Sequence, residues 1–296
     1  MAKSPNCIGI DVGATKTHAA AVSSSGKILR QRLVPTPKEK TKAIKKIIEL
    51  ANGLRDKDTA AIGIGVPGPV EFERQIVITL PNLQGWKDVP LSRIAAKATG
   101  LPCTVDNDVK CFLQAEMKYG AAKGRRNVVG IIMGTGFGSA IAIDGKIYRG
   151  AHGSAGEVGH IIISDKSGAA GFRNVGELES YASGRAVAER AEGKDAKVVF
   201  DSAKRGDLAA KRIVQATASA AGIGLANAIN VLDPEIIVVG GSLSNSLAQM
   251  LPAMRKEILR NCFAPANRTP IVRHKLEHPG TVGAAVVAMD ALKKRK

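Results

Sequence analysis

The chain has 296 residues, 45% hydrophobic and 23% charged, a balance that builds a buried core and excludes disorder, collagen and coiled coil as descriptions of the whole. At roughly 150 residues per domain, this length fits two domains or one large one. A formal charge of +17 admits nucleic acid, an anionic membrane surface or a phosphate-bearing small molecule as partner, while an aromatic content of 3% leaves little material for stacking single-stranded bases.

Residues 7–12 (CIGIDV) read as a buried strand that ends at the turn residue Gly13. Residues 17–22 (THAAAV) form a second strand, and Ser23–Gly26 turns into a third over 27–34, so the chain opens as a β-meander. Apolar residues at 44, 47, 48 and 51 predict a helix over 41–54. A strand over 60–66 runs into the rigid turn Pro67-Gly68-Pro69. A helix over 91–99, a short strand over 102–105 and a helix over 108–119, capped by the Asn107-Asp108 pair, follow.

The opening pattern then returns. Residues 128–133 (VVGIIM) predict a strand, Gly134-Thr135-Gly136 a turn, 139–143 a second strand and Asp144–Ile147 a hairpin turn. With a two-residue deletion Gly13 aligns with Gly134, and both segments close on Gly-Lys-Ile, at 26–28 and 145–147. Such an internal duplication predicts two similar α/β halves around a cleft, where small-molecule sites concentrate. Helices over 184–192, 208–232, 246–260 and 281–294 and strands over 235–239 and 270–273 complete the second half. No Ser-, Gly- or Pro-rich linker separates the halves. The expected division is 1–107 plus the terminal helix 282–296 against 108–281.

Several of these segments carry chemistry. In Asp11-Val12-Gly13-Ala14-Thr15-Lys16 a tight turn exposes backbone N–H donors, Thr15 adds a hydroxyl and Lys16 a charge, which together suit a phosphate; Asp11 suits a hydrated Mg²⁺ as a hard oxygen ligand. A plain hairpin accounts for the same residues. Gly134-Thr135-Gly136-Phe137-Gly138 repeats the device, and Gly240-Gly241 offers a third close approach, suited to the face of a nucleotide. None matches the P-loop or the dinucleotide fingerprint. In Asp106-Asn107-Asp108 the pair at the helix start reads either as an N-cap or as a carboxylate that takes a proton from a substrate hydroxyl. Gly156-Glu157-Val158-Gly159-His160 and Glu179 supply carboxylates and an imidazole suited to a polyol, although a structural histidine explains His160 equally.

The remaining features exclude more than they suggest. Cys7, Cys103, Cys111 and Cys262 form no close pairs, against a disulfide framework and in keeping with a reducing compartment. The basic runs Lys38–Lys46 and Lys293–Lys296 read as solvated faces, so no specific nucleic-acid partner is expected. No targeting segment is evident, and the most apolar stretch, 218–232, falls short of the about 20 residues that cross a bilayer. A cytoplasmic protein without a membrane partner is the expectation.

In order, DVGATKT (11–17), GVPGPV (65–70), LPNLQGW (80–86), DND (106–108), GTGFGSAI (134–141), GAHGSAGEVGH (150–160), ELESYASG (177–184) and EIIVVGG (235–241) resemble the ROK family of sugar kinases and repressors, within the actin-like ATPase superfamily. The resemblance covers nearly the whole chain and implies two ribonuclease-H-like lobes around a central cleft that takes ATP, Mg²⁺ and a sugar, in a homodimer. Carried over position by position, it makes Asp108 the catalytic base and Asn82, Asn107, Asp108, Glu157, His160 and Glu179 the sugar contacts. It makes Asp11 and Gly13, Ala14, Thr15 and Lys16 the first phosphate motif, Gly134, Thr135 and Gly136 the second, and Gly240 and Gly241 the adenosine motif.

The implied activity is phosphorylation of a hexose, glucose to glucose 6-phosphate first. Fructose, mannose, N-acetylglucosamine and N-acetylmannosamine are the alternative acceptors, and ATP or polyphosphate the donor. A non-catalytic sugar-responsive regulator is the competing reading; with a first strand at Cys7 no DNA-reading region is expected ahead of it, and Asp108 favours an enzyme. GEVGH argues against an acetate- or polyol-type kinase. The family usually carries CxCGxxGCLE after the histidine and binds zinc there with it. Ala170, Phe172 and Glu177 align with its cysteines, so no zinc site is expected, His160 is left to act on sugar alone, and what holds the loop 164–176 is open.

Overall fold

The structure is a computed structural model describing residues 5–80 and 83–294. Asn82 and the last two residues of the basic tail lie outside the described residues. The chain forms two compact units: one runs up to Gly124 and adds Ile147–Ala155 and the chain from Lys275 onward, the other comprises Arg125–Lys146 and Gly156–His274.

The first unit begins with β1 (Asn6–Val12), β2 (Lys16–Val22), β3 (Ile28–Pro35), α1 (Lys40–Leu54) and β4 (Thr59–Val66). It continues with β5 (Val70–Glu71), β6 (Ile76–Thr79), β7 (Lys87–Val89), α2 (Leu91–Thr99), β8 (Cys103–Asn107) and α3 (Asp108–Tyr119). Its main sheet has the order β3-β2-β1-β4-β8: the first three strands are the expected antiparallel meander, and β1, β4 and β8 run parallel. β5, β6 and β7 form a separate small sheet that sequence patterning missed, because strands of two to four residues are too short for alternation to register.

The second unit contains β9 (Val128–Met133), β10 (Phe137–Ile143), α4 (Glu179–Ala182), α5 (Gly184–Arg190) and α6 (Ala196–Lys204), and the short β11 (Lys146–Tyr148) straddles the boundary at Lys146/Ile147. The long α7 (Leu208–Leu232), β12 (Ile236–Gly240), α8 (Leu247–Asn261) and β13 (Ile271–Arg273) follow. α9 (Pro279–Lys294) belongs to the first unit. The second sheet has the order β11-β10-β9-β12-β13, with β9 antiparallel to β10 and parallel to β12, and β12 parallel to β13. Position for position this is the topology of the first sheet, so the repeat of strand, glycine turn and strand is a duplication of whole sheets.

Both faces of the first sheet are covered, and β1 shows how. Ile8, Ile10 and Val12 face a core shared with Ile47 and Leu50 of α1 and Leu91 of α2, while Cys7 faces Val282, Ala285 and Ala288 of α9. A strand buried on both sides reads as a continuous apolar run, as CIGIDV does. α9 lies so close to the sheet that a Cβ on Gly9 would stand 1.9 Å from the Thr281 carbonyl oxygen, and one on Gly63 1.7 Å from that of Ala284. α3 also packs on α9, which keeps it in the first unit and sets the division at Gly124/Arg125 rather than at 107/108. The buried Glu116 of α3 binds the returning chain, accepting from the N–H groups of Lys275 and Leu276 at 3.0 Å each.

At the far end of the same sheet Asp56 ties β1 to β4. Its carboxylate accepts from Asn6 Nδ2 at 3.0 Å, Arg30 at 2.7 Å, Thr59 Oγ1 at 2.9 Å and the Asp58 N–H at 3.0 Å. The Asn6 bond, with those of Arg30 and Thr59, holds this carboxyl well below the usual range against a smaller upward push from desolvation. A depressed folded-state value stabilises the protein above the unfolded value near about 3.9, and that stability fades as acid carries the pH down toward the folded value. Asp56→Asn is therefore expected to lower stability at pH 7 by about 1–2 kcal/mol, the range of charge-assisted hydrogen bonds. The gap to wild type should begin to narrow below about pH 4 and go on shrinking as the pH falls toward the folded value. Thermal melts of both proteins across pH 2–7 check this, and a gap independent of pH would refute it.

Candidate active site

In the first unit three parallel strands deliver their carboxyl ends to one edge. Asp11 of β1 pairs in register with Gly65 of β4, which pairs with Asp106 of β8. Ligands of α/β sheets bind outside such strand ends. Gly65 lies against the start of the next helix: a Cβ there would stand 3.3 Å from Sγ of Cys111 and in ordinary contact, at 3.6 Å, with Cα of Asp108. Burial first, and then the charges of Asp106, Asp11 and Asp108, push the Cys111 thiol well above its ordinary value.

Asp108 opens α3. Its neighbour Asn107 is a true N-cap: Oδ1 accepts from the N–H groups of Val109 at 3.0 Å and Lys110 at 3.1 Å. The other end of that amide donates to Gly68 O at 3.2 Å and to Asp108 Oδ1 at 3.0 Å, and Asp108 Oδ1 also accepts from the Val109 N–H at 2.9 Å. The N-cap reading therefore holds for Asn107. Asn107 caps the helix and in doing so holds the partly exposed Asp108 carboxylate by one oxygen.

Asp106 is anchored differently. It is 1% exposed and takes a bidentate pair from Arg149, both contacts at 2.7 Å. The guanidinium lies 3.6 Å from the centroid of the Phe72 ring. Asp106 also accepts from the Asn107 N–H at 2.8 Å and from Gln114 at 3.3 Å. Arg149 is thus the support of the whole DND turn, and it escaped the sequence reading because it stands just ahead of GAHGSAGEVGH, outside any motif, with its partner 43 residues away. Lys110, 4% exposed, reaches back to the carbonyl of Gly153 in the same returning segment.

The first glycine turn is closed by Gly13 N–H donating to Lys16 O at 3.0 Å. Lys38, read from the sequence as part of a solvated run, donates Nζ to Ala14 O at 2.8 Å and so brings its ammonium onto this turn. Burial pushes the Asp11 carboxyl up to about 6. Its carboxylate packs against Gly280 at the start of α9, where a Cβ would come within 2.4 Å of Oδ2. A hard carboxylate oxygen short of counter-charge suits a hydrated Mg²⁺.

The second unit repeats this edge. Gly134 N–H donates to Gly136 O at 3.0 Å, and Gly134 O accepts from the Gly184 N–H at 2.7 Å at the start of α5. Gly240 pairs in register with Ile132, and Gly241 (φ +81°) passes so close to β9 that a Cβ would stand 2.3 Å from Met133 O. Both glycine motifs therefore share one strand end, with the Gly134 Cα side 3.8 Å from Ser242 Oγ as measured from an added Cβ.

GEVGH runs along β10. A Cβ on Gly159 would stand 2.2 Å from Phe137 O, and Ser139 Oγ accepts from the Val158 N–H at 2.9 Å. Glu157 and His160 are left exposed at either end of one 3₁₀ turn, Val158–His160. Glu179 begins α4, and its Oε2 accepts from the Phe137 N–H at 2.8 Å, which ties an expected sugar contact to the second glycine turn.

His160 is not left to sugar alone, as the sequence suggested. Its Nδ1 lies 2.9 Å from Oε2 of Glu177, a residue 1% exposed. Burial pushes the Glu177 carboxyl up, but the bonds from His160 and from the backbone of Arg173 and Asn174 outweigh it and hold it below the usual range.

Two sheets of one topology, each with a glycine turn after its first strand, define an actin-like ATPase fold. A model described as the ROK family matches residues 7–291. A glucokinase of Streptomyces coelicolor is 35% identical, over 96% of this chain and 97% of its own. The crystal structure of a ROK family glucokinase from Streptomyces griseus, in complex with glucose and AMPPNP, is 30% identical with a TM-score of 0.85, covering 96% of this chain and 99% of that one. The xylose repressor of Caldicellulosiruptor bescii is 29% identical, over 86% of this chain and 70% of its own. The chain belongs to the ROK family, and these relatives support a sugar kinase, with repressors in the same lineage.

Proposed function

We propose that the protein phosphorylates a hexose with ATP, glucose to glucose 6-phosphate first. The observation that carries this reading is the single edge that groups Asp11, Asp106 and Asp108 at the ends of β1, β8 and α3. A phosphoryl donor beside Gly13–Lys16 and a sugar beside Asp108 would then sit on the same edge of one sheet.

Asp108 accepts the proton of the attacking sugar hydroxyl. The oxygen's lone pair forms the new bond to the γ-phosphorus while the bond to the β,γ-bridging oxygen breaks and ADP leaves with that electron pair. Most of the acceleration in such transfers is positioning and charge stabilisation. Lys16 and Lys38 attract the anionic donor, and the turn at Gly134–Gly136 with Gly240-Gly241 forms the nucleotide side in the second unit. Asp11 would hold Mg²⁺ through water, and the ion supplies neutralisation of charge on the phosphoryl oxygens. Asn107 in the first unit, and Glu157, His160 and Glu179 in the second, are the groups that would bind the sugar hydroxyls. Among the described residues no helix is long and apolar enough to cross a membrane.

The test is a coupled phosphorylation screen with glucose, fructose, mannose, N-acetylglucosamine and N-acetylmannosamine, each with ATP and with polyphosphate. Turnover on glucose with ATP is the expected result. Glucose binding without turnover on any pair would instead point to a sugar-responsive regulator. In that event specific DNA binding should persist at physiological salt, where attraction from net charge alone fades.

A further inference from the structure

We infer that Glu177 is a positioning residue that sets the orientation and tautomer of His160 and holds the loop 164–176 without a metal ion. This rests on the proposed role of His160 in sugar binding. Glu177 is buried among the bonds it makes. Oε2 accepts from His160 at 2.9 Å and from Asn174 Nδ2 at 3.3 Å, and Oε1 accepts from the Arg173 N–H at 2.8 Å. One carboxylate therefore joins the start and the end of the loop.

The backbone agrees. Ile163 N–H donates to Gly176 O and Leu178 N–H to Ile161 O, both at 2.9 Å, on either side of a bridge between Ile162 and Glu177. Gly176 (φ +78°) passes so close to Ser164 that a Cβ would stand 1.8 Å from its carbonyl oxygen. The rest of the loop is held by the Ala170 N–H on Glu189 at 2.7 Å and by Arg185 over the Phe172 ring at 3.6 Å.

These residues do not fit a zinc site of cysteines and histidine. Ala170 and Phe172 carry no donor atom, the four cysteines are buried elsewhere, and the described residues contain no group of three His, Cys, Asp or Glu able to hold a metal. An ionised carboxylate only accepts, so Nδ1 of His160 must carry the proton. In the neutral ring Nε2 is then an acceptor for a ligand hydroxyl. Glu179, two residues on, is positioned by the same anchor.

Glu177→Gln tests the assignment with little change of shape. An amide that still accepts from the Arg173 N–H turns its NH₂ toward His160, which forces Nδ1 to accept and moves the ring proton to Nε2. With only five histidines in the chain, ring ¹⁵N spectra, assigned with His160→Gln, read this directly. The expected result is an Nδ1–H ring in wild type and an Nε2–H ring in the variant; the same tautomer in both overturns the proposal. KM for the sugar should rise about tenfold with kcat within about twofold, the size of one hydrogen bond. A fall in kcat alone would count against it.

Glu177→Ala should open the loop to trypsin after Lys166 and Arg173, and continued resistance refutes the anchoring role. Wild type treated with 1,10-phenanthroline should keep its melting temperature and its resistance, and a loss of either refutes metal independence. The spectra and the proteolysis need no turnover. A protein inactive on every sugar thus defeats the kinase reading without touching these outcomes.

Discussion

Asp108→Asn should lower kcat by roughly 10²–10⁴-fold, the usual share of a positioned general base, while sugar binding persists. Asparagine is isosteric and keeps a carbonyl oxygen for the Val109 N–H, and the Asn107 cap is unchanged, so α3 should start at the same residue. What is lost is the ability to take the hydroxyl proton as the phosphoryl group arrives. Initial rates in the coupled assay, with a glucose-induced thermal shift as the binding control, decide it. A kcat within tenfold of wild type would remove Asp108 from the mechanism.

Arg149→Ala should cost about 3–5 kcal/mol of stability, because removing one member of a buried pair leaves the other charge uncompensated. Asp106 is 1% exposed and cannot turn to water for its missing partner. The loss includes the stacking on Phe72, so Arg149→Lys should recover only part of it: an ammonium gives one point contact where the guanidinium gives two parallel ones. Activity should fall with stability, since Asp106 holds the turn from which Asp108 projects. Urea titrations of the three proteins are the measurement, and an Arg149→Ala midpoint equal to that of wild type would show that the pair is dispensable.

Much of the architecture is legible in consecutive residues. The strand over 128–133 and the helices over 91–99, 108–119 and 208–232 coincide with the expected spans, because apolar period, capping residues and glycine turns are local signals. The duplication was legible for the same reason. Two stretches of strand, glycine and strand resemble each other wherever they end up in space. The short strands β5–β7 and the helix α6 left no comparable trace.

The amino-acid order alone thus settled where Asp11, Asp108 and the glycine turns stand along the chain, since each is defined by its immediate neighbours. The tertiary structure alone decided what supports them. Asp106 finds Arg149 43 residues away, Phe137 finds Glu179 across 42, and His160 finds Glu177 across 17. Such partners are chosen by which elements pack together, and a buried charge or a crowded glycine carries no mark in its own neighbourhood of the distant group that it meets.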